Sequence, residues 1–214
     1  MRFVHKWAWI MLAMVSILLL ISSGLKWIPI GGTEVFGFIT GAVCVLFVVE
    51  QNIWNFPVGI ANNIFFIMLF FTARLYGDMA LQVIYIILGV IGWWQWLYGG
   101  TNRSELHVNH ISGKEFIIII FIGIVATLGM REYLVGINDA APFLDALTTV
   151  ISLLAQYLLN FKRIESWFFW ITADVIYVGL YVQKELYLTA ILYVLFIGLC
   201  VAGFLSWRKS GTRI

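Results

Sequence analysis

The sequence predicts an all-α integral membrane protein with about eight transmembrane helices, and three observations carry that prediction. Hydrophobic residues fill 62% of the 214 positions and charged residues only 11%, whereas a soluble domain carries roughly 25% charged residues. The apolar residues come in runs of about 17 to 22, the length a helix needs to cross the hydrocarbon layer. The remaining charges gather in segments between the runs that are too short for a folded soluble domain. The formal net charge of +2, from 13 Lys and Arg against 11 Asp and Glu, is too near balance to point to nucleic acid.

The first run, residues 7 to 25, follows Arg2, His5 and Lys6 and precedes Ser22, Ser23 and Gly24. That pattern can mark a signal peptide, but seven more runs follow, and we read it as a retained helix. The second run covers 33 to 49 and the third 53 to 73, the latter holding Pro57, Gly59, Asn62 and Asn63. The fourth covers 79 to 98, the fifth 115 to 134, and the sixth 143 to 160, just after Pro142. The seventh, 164 to 182, has Asp174 near its centre, and the eighth covers 187 to 206. Cys44 and Cys200 lie inside apolar runs, where buried thiols are expected rather than a disulfide.

With eight spans, both termini share one side of the membrane. Arg2, Lys6, Arg103, Lys114, Lys162, Arg163, Arg208, Lys209 and Arg213 fall on that side, and Lys26, Arg74, Arg131 and Lys184 on the other. The excess of basic residues places both termini in the cytoplasm.

An offset of 111 residues aligns "RLYGDMALQVIYIILGVIGWWQW" (74 to 96) with "ELYLTAILYVLFIGLCVAGFLSW" (185 to 207) without a gap. Leu75 and Tyr76 meet Leu186 and Tyr187, Gly92 meets Gly203, and Trp96 meets Trp207. Upstream, Glu34 meets Asp145, Asn63 meets Asp174 and Phe66 meets Tyr177. The agreement of rare polar and glycine positions argues for duplication. The expected organisation is an N-terminal helix (1 to 32), a first three-helix repeat (33 to 98), a loop and central linker helix (99 to 142), and a second three-helix repeat with a basic tail (143 to 214). One span between the copies makes them parallel, and parallel repeats in transporters bind substrate between them near the midplane. Asn63 and Asp174 are then expected to face each other across the pore.

Asp174 is the costliest residue in the chain. A carboxylate at mid-membrane costs about 2.5 to 3.5 kcal/mol on insertion scales, so a ligand or partner must offset it. Trp167, Trp170, Asp174, Tyr177 and Tyr181 recur every three or four residues and form one helical stripe. Aromatic faces around a carboxylate suit a flat cation, through stacking and cation–π attraction. Trp167, near the cytoplasmic end, also fits an interfacial aromatic belt. Asp145, Thr149, Ser152 and Gln156 make a second stripe, which serves either helix packing or ligand contact. Gln156 is the best ligand candidate there, because its amide both donates and accepts. The first repeat offers Asn62 and Asn63, and Gln82 on the face it shares with Tyr85, Gly89, Gly92 and Trp96. The equivalent face of the last span, Tyr193, Phe196, Cys200, Gly203 and Trp207, reads as packing.

Other chemistry is not indicated. "HVNH", His107 to His110, reads as a solvated loop rather than a metal site. The sequence has no phosphate-binding glycine loop, no helical metalloprotease motif and no nucleophile triad, so no enzyme activity and no cofactor are expected.

"WNFPVGIANN", "ARLYGDMALQVIYIILGVIGWWQW", the W-x-x-W-x-x-x-D of Trp167, Trp170 and Asp174, and "LYLTAILY" together resemble the PnuC family of bacterial vitamin-precursor transporters, over residues 34 to 208. The resemblance implies a three-plus-one-plus-three core similar to the SWEET sugar transporters, in the bacterial cell membrane. It implies nicotinamide riboside as the commonest substrate, with relatives that carry thiamine or other vitamins. It also implies facilitated diffusion, with a cytosolic kinase as functional partner that traps the substrate as its phosphate and feeds NAD biosynthesis. Trp170 and Asp174 fall where the family's site motif lies. Some members carry asparagine in place of Asp174, so a carboxylate here suits any cationic ring. Asp174 is the one acidic residue well inside a span, which favours uncoupled transport over a proton relay. The competing readings are a thiamine or other vitamin carrier of the same fold, and a scaffold or sensor subunit whose polar stripes only join helices. Homo-oligomerisation is compatible with the sequence.

Overall fold

In the computed structural model of the chain, residues 2–27, 32–72, 76–138, 141–183 and 187–211 are described. Arg74, Leu75, Lys184, Leu186 and Arg213 lie outside them, as do the side chains of Arg2, His5, Glu34, Tyr76 and Tyr187.

The described residues form eight α-helices: α1 (Arg2–Gly24), α2 (Gly32–Val49), α3 (Asn55–Thr72), α4 (Tyr76–Tyr98), α5 (Gly113–Gly136), α6 (Pro142–Asn160), α7 (Ser166–Gln183) and α8 (Tyr187–Gly211). They lie where the apolar runs place them. Lipid offers no hydrogen bonds, so each run satisfies its own backbone by closing into a helix. By length and apolarity alone, Met79–Tyr98, Gly113–Gly136, Pro142–Asn160 and Ala190–Ser210 can each cross a membrane. Trp9–Gly24, Val35–Val49 and Asn55–Leu69 are shorter apolar stretches. The chain is thus an all-helical, multi-pass membrane protein.

Local signals set the helix ends. Ser112 caps α5, its hydroxyl accepting from the Glu115 amide, and Glu115 supplies the acid of a Ser-x-x-Glu box. Pro142 opens α6, where its missing N–H costs nothing.

Two compact units emerge, Met1–Trp94 and Gln95–Ile214, with α4 running from one into the other. In the first, α1 packs on α2 and α2 on α3. The Trp9 indole fastens α1 by donating to Glu50 at 2.6 Å and packs against Phe47. In the second, α5, α6, α7 and α8 pack in sequence order.

The turn after α2 and the turn after α6 share one construction. Gln51 (φ 55°) and Lys162 (φ 49°) both adopt the left-handed conformation, and they are 111 residues apart. The Gln51 amide donates to Val48 and the Asn52 amide to Phe47; likewise Lys162 donates to Leu159 and Arg163 to Leu158. These are paired Schellman bonds, which satisfy carbonyls left over at a helix end. Asn55 to Asn52 and Ser166 to Arg163 then start the next helix in the same way. The offset found in the sequence therefore also relates helix limits and turn bonds.

Candidate functional site

The polar and aromatic residues of the second unit converge where α7 packs between α6 and α8. Asp174, although it carries a carboxyl group, is only 7% exposed. Among the described residues its hydrogen-bond partner is the Cys200 thiol of α8, with Sγ 3.8 Å from Oδ2. A thiol is a weak donor, so the carboxylate keeps most of its accepting capacity. Tyr177 lies one turn toward the α7 C-terminus and is within hydrogen-bonding reach of the buried Thr148 of α6. Trp170, one turn toward the N-terminus, is half-buried. The stripe predicted on α7 is thus continuous with side chains from both neighbouring helices.

Trp167 has different surroundings. It is 1% exposed, and its ring meets Trp207 edge to face at 5.3 Å, while Trp207 meets Trp96 at 5.9 Å. Gly203 makes room for this ring, since any side chain there would overlap its six-membered edge. Trp167 therefore sits in a tryptophan core and not on a lipid-facing belt. Ser152 is buried within α6, and the Gln156 amide donates to Asn160 Oδ1 at 2.9 Å, along its own helix. Asp145 lies in the first turn of α6.

In the first unit, the Asn62 amide bonds the Thr40 hydroxyl of α2. Asn63 and Gln82 are half-buried. Gly37 of α2 lies directly against the ring of Phe66. Applying the 111-residue offset to this pair gives Thr148 and Tyr177, the pair joined in the second unit.

Residues 99 to 112 are far more built than a solvated loop. Residues 107 to 110 run beside the α6–α7 turn, with Asn109 donating its amide to Lys162 O and accepting from the Ile164 amide. The Arg163 guanidinium holds the Asn109 side chain, the His110 carbonyl at 2.9 Å and the Glu115 carboxylate at 2.8 Å. Glu165 accepts from the Ile111 amide at 3.1 Å and pairs with His110 Nδ1 at 2.9 Å. The Lys162 ammonium lies over the Trp96 ring, 4.4 Å from its centre. Burial pulls that amine from its ordinary 10.5 down to about 8, with Glu105 opposing the shift. Among the described residues no cluster of three or more acidic, His or Cys side chains could hold a metal ion.

Sequence reasoning assigned the α7 stripe but left Cys200 and Tyr193 to packing and did not single out Thr148. The α8 stripe was visible, yet only the helix pairing brings Cys200 against Asp174.

A bundle of apolar helices with an acid and aromatic rings turned inward defines an integral membrane protein that handles a small solute. Residues 31–209 match the family described as "Nicotinamide mononucleotide transporter", and the chain belongs to that family of transporters, which are not enzymes. Among its relatives is the nicotinamide riboside transporter PnuC of Neisseria mucosa, 26% identical over 82% of this chain and 71% of the relative. The PnuC of Escherichia coli is 24% identical over 88% and 90%, and the riboflavin/roseoflavin transporter RibM of Streptomyces davaonensis 21% over 85% and 86%. The crystal structure of the vitamin B3 transporter PnuC has the same fold, with a TM-score of 0.75 and 23% identity over all of this chain and 93% of that one.

Proposed function

We propose that the protein takes up nicotinamide riboside by facilitated diffusion, with Asp174 as the counter-charge for the pyridinium ring. The observation that carries this reading is a carboxylate 7% exposed in the membrane, bonded to a thiol and adjoining an aromatic stripe. An isolated buried carboxylate is costly unless something pairs with it. A flat cation supplies that pairing, and rings beside it add roughly 2 kcal/mol of cation–π attraction when desolvated. Trp170 and Tyr177 flank Asp174 on the same stripe, and Asn62, Asn63, Gln82, Ser152, Gln156 and Trp167 remain candidate contacts. Relatives named for nicotinamide riboside support the cargo. A cytosolic kinase then traps the product as its phosphate. The protein resides in the bacterial inner membrane with both termini in the cytoplasm, and residues 33–98 and 143–214 are two copies of one three-helix unit. The shared turn geometry supports the duplication, and the basic-residue asymmetry supports the orientation.

The relative named for riboflavin favours a second reading, another flat vitamin such as thiamine or a flavin. Tryptophan fluorescence of the purified protein, titrated separately with nicotinamide riboside, thiamine and riboflavin, decides between them. Saturable quenching by nicotinamide riboside alone, lost in Trp170→Ala, is expected. Quenching by thiamine or riboflavin alone replaces the cargo, and no response to any of the three sinks the vitamin reading.

A further inference from the structure

The aromatic surface of the second unit continues past Asp174 toward the C-terminal end of α7, beyond the contacts assigned above. Tyr177 and Tyr181 occupy successive turns of α7, and Tyr193 reaches them from α8. The three rings lie close to parallel, with interplanar angles of 24°, 26° and 36° and centroid distances of 6.1, 5.3 and 4.9 Å. At these spacings the rings close on one another and leave no slot for a fourth.

Their placement is not that of a lipid-facing belt. Among the described residues, Phe168, Val175 and Val182 are the large exposed apolar residues of α7, and Ile191, Val194, Val201 and Leu205 those of α8. Tyr177 stands two residues from Val175, and Tyr193 two residues from Ile191, which is roughly 200° around each helix. Tyr177 therefore points away from the lipid-facing stripe of α7, while Tyr181, next to Val182, and Tyr193, next to Val194, lie about a quarter turn to the side of theirs. Even so, all three keep partial exposure, while Thr148, Asp174 and Cys200 beside them are buried. Ring surface thus stays accessible on an inward face.

The hydroxyl groups hold the stack shut. Tyr177 reaches Thr148, and the Tyr181 and Tyr193 side chains are hydrogen-bonded to each other. Asp145, in the first turn of α6, is close enough to act electrostatically on both Tyr177 and Tyr181. The stack consequently stands between two carboxylates, Asp145 toward the α6 N-terminus and Asp174 deeper in the bundle.

We propose that Tyr181 and Tyr193, with Tyr177, form an aromatic gate that a flat cation opens by inserting its ring between theirs on the way from Asp145 to Asp174. A planar cation replaces the tyrosine–tyrosine stacking it disrupts and adds cation–π attraction, so it crosses readily. A neutral, non-planar sugar replaces neither, and the gate rejects it. The inference rests on the substrate being a flat cation.

The test is uptake of radiolabelled nicotinamide riboside into proteoliposomes by wild-type protein and by Tyr181→Leu, Tyr193→Leu, Tyr181→Phe and Tyr193→Phe. The leucine variants should raise KM by about fivefold or more through lost ring contacts. The phenylalanine variants, which keep the ring and lose only the hydroxyl bond, should stay within about twofold. A structural role would lower the amount of folded protein and would not separate KM from kcat. In wild-type protein, saturating nicotinamide riboside should also change nitration of Tyr181 and Tyr193 by tetranitromethane, leaving the exposed Tyr133 unaffected. This second readout applies even if a leucine variant fails to fold. Wild-type uptake with unchanged KM in the folded leucine variants, or a nitration pattern indifferent to substrate, overturns the gate alone. Absence of wild-type uptake and binding overturns the functional reading and the gate together.

Discussion

The α2–α3 hairpin and the α6–α7 hairpin have the same backbone and different chemistry. Each closes with a left-handed residue, Gln51 or Lys162, and each repeats the same paired turn bonds. In the first, Gly37 packs against the ring of Phe66, and Asn63 occupies the central position. In the second, Thr148 and Tyr177 stand at the corresponding positions, and the central position is Asp174. Shape is thus set by helix length and turn geometry, while the polarity of the two hairpins differs. Among the described residues, the second hairpin carries a central carboxylate, the Thr148–Tyr177 pair and an arginine clamp where the first has Asn63, Gly37 with Phe66, and Asn52.

Substitutions at corresponding positions test that contrast. The largest effect is expected at the central pair. Asp174→Ala should weaken nicotinamide riboside binding by at least tenfold, about 1.4 kcal/mol, while Asn63→Ala costs less. Fluorescence titration of both folded variants measures this, and equal losses would remove the special role of the acid.

Packing comes next. Gly203→Val must overlap the buried Trp167 ring, and overpacking of this kind costs about 1 to 3 kcal/mol. Gly198, on the same helix, has open space where a Cβ would go. Gly198→Ala should be neutral or stabilising by up to about 1 kcal/mol through helix propensity. Thermal unfolding in detergent should therefore lower Tm for Gly203→Val and spare Gly198→Ala.

The two turns should also differ in strength. Arg163→Ala removes a guanidinium bound to Asn109, His110 and Glu115, a loss of about 1.5 to 3 kcal/mol for bonds to a charged group. Its counterpart Asn52 caps the Trp54 amide at 3.0 Å, so Asn52→Ala should cost only about 0.5 to 1 kcal/mol. A Tm for Arg163→Ala no lower than for Asn52→Ala would mean that the guanidinium clamp adds no net stability.

A separate effect concerns pH. The folded state holds the Lys162 amine near 8, below its ordinary 10.5. Between these values the unfolded chain binds more protons than the folded one, so stability rises as pH rises from about 8 to about 10.5. Below pH 8 the penalty is constant. Lys162→Gln, which copies Gln51 into this turn, should flatten the rise in a pH series of melting curves.

Much of this architecture was legible in the sequence, because lipid makes helix formation a local matter. Each run long enough to span had to satisfy its own backbone, so length and apolarity located the eight helices. Asp174 stood out by its cost alone, and the 3.6-residue period grouped it with Trp170 and Tyr177. The HVNH segment was less legible. Its polar composition suggested a solvated loop, yet His110 and Glu165 are 55 residues apart in the chain and paired in the fold, and no local pattern encodes such a pairing.

The sequence alone determined the solvent, the helices, their order and the charge that needs a partner, since each follows from residues adjacent in the chain. Tertiary structure decided the rest: Trp167 entered a tryptophan core, Gln156 bonded along its own helix, Cys200 met Asp174, and Tyr193 closed on Tyr181. Those outcomes depend on which helix faces meet, and packing between segments distant in the chain is fixed only when the whole bundle assembles.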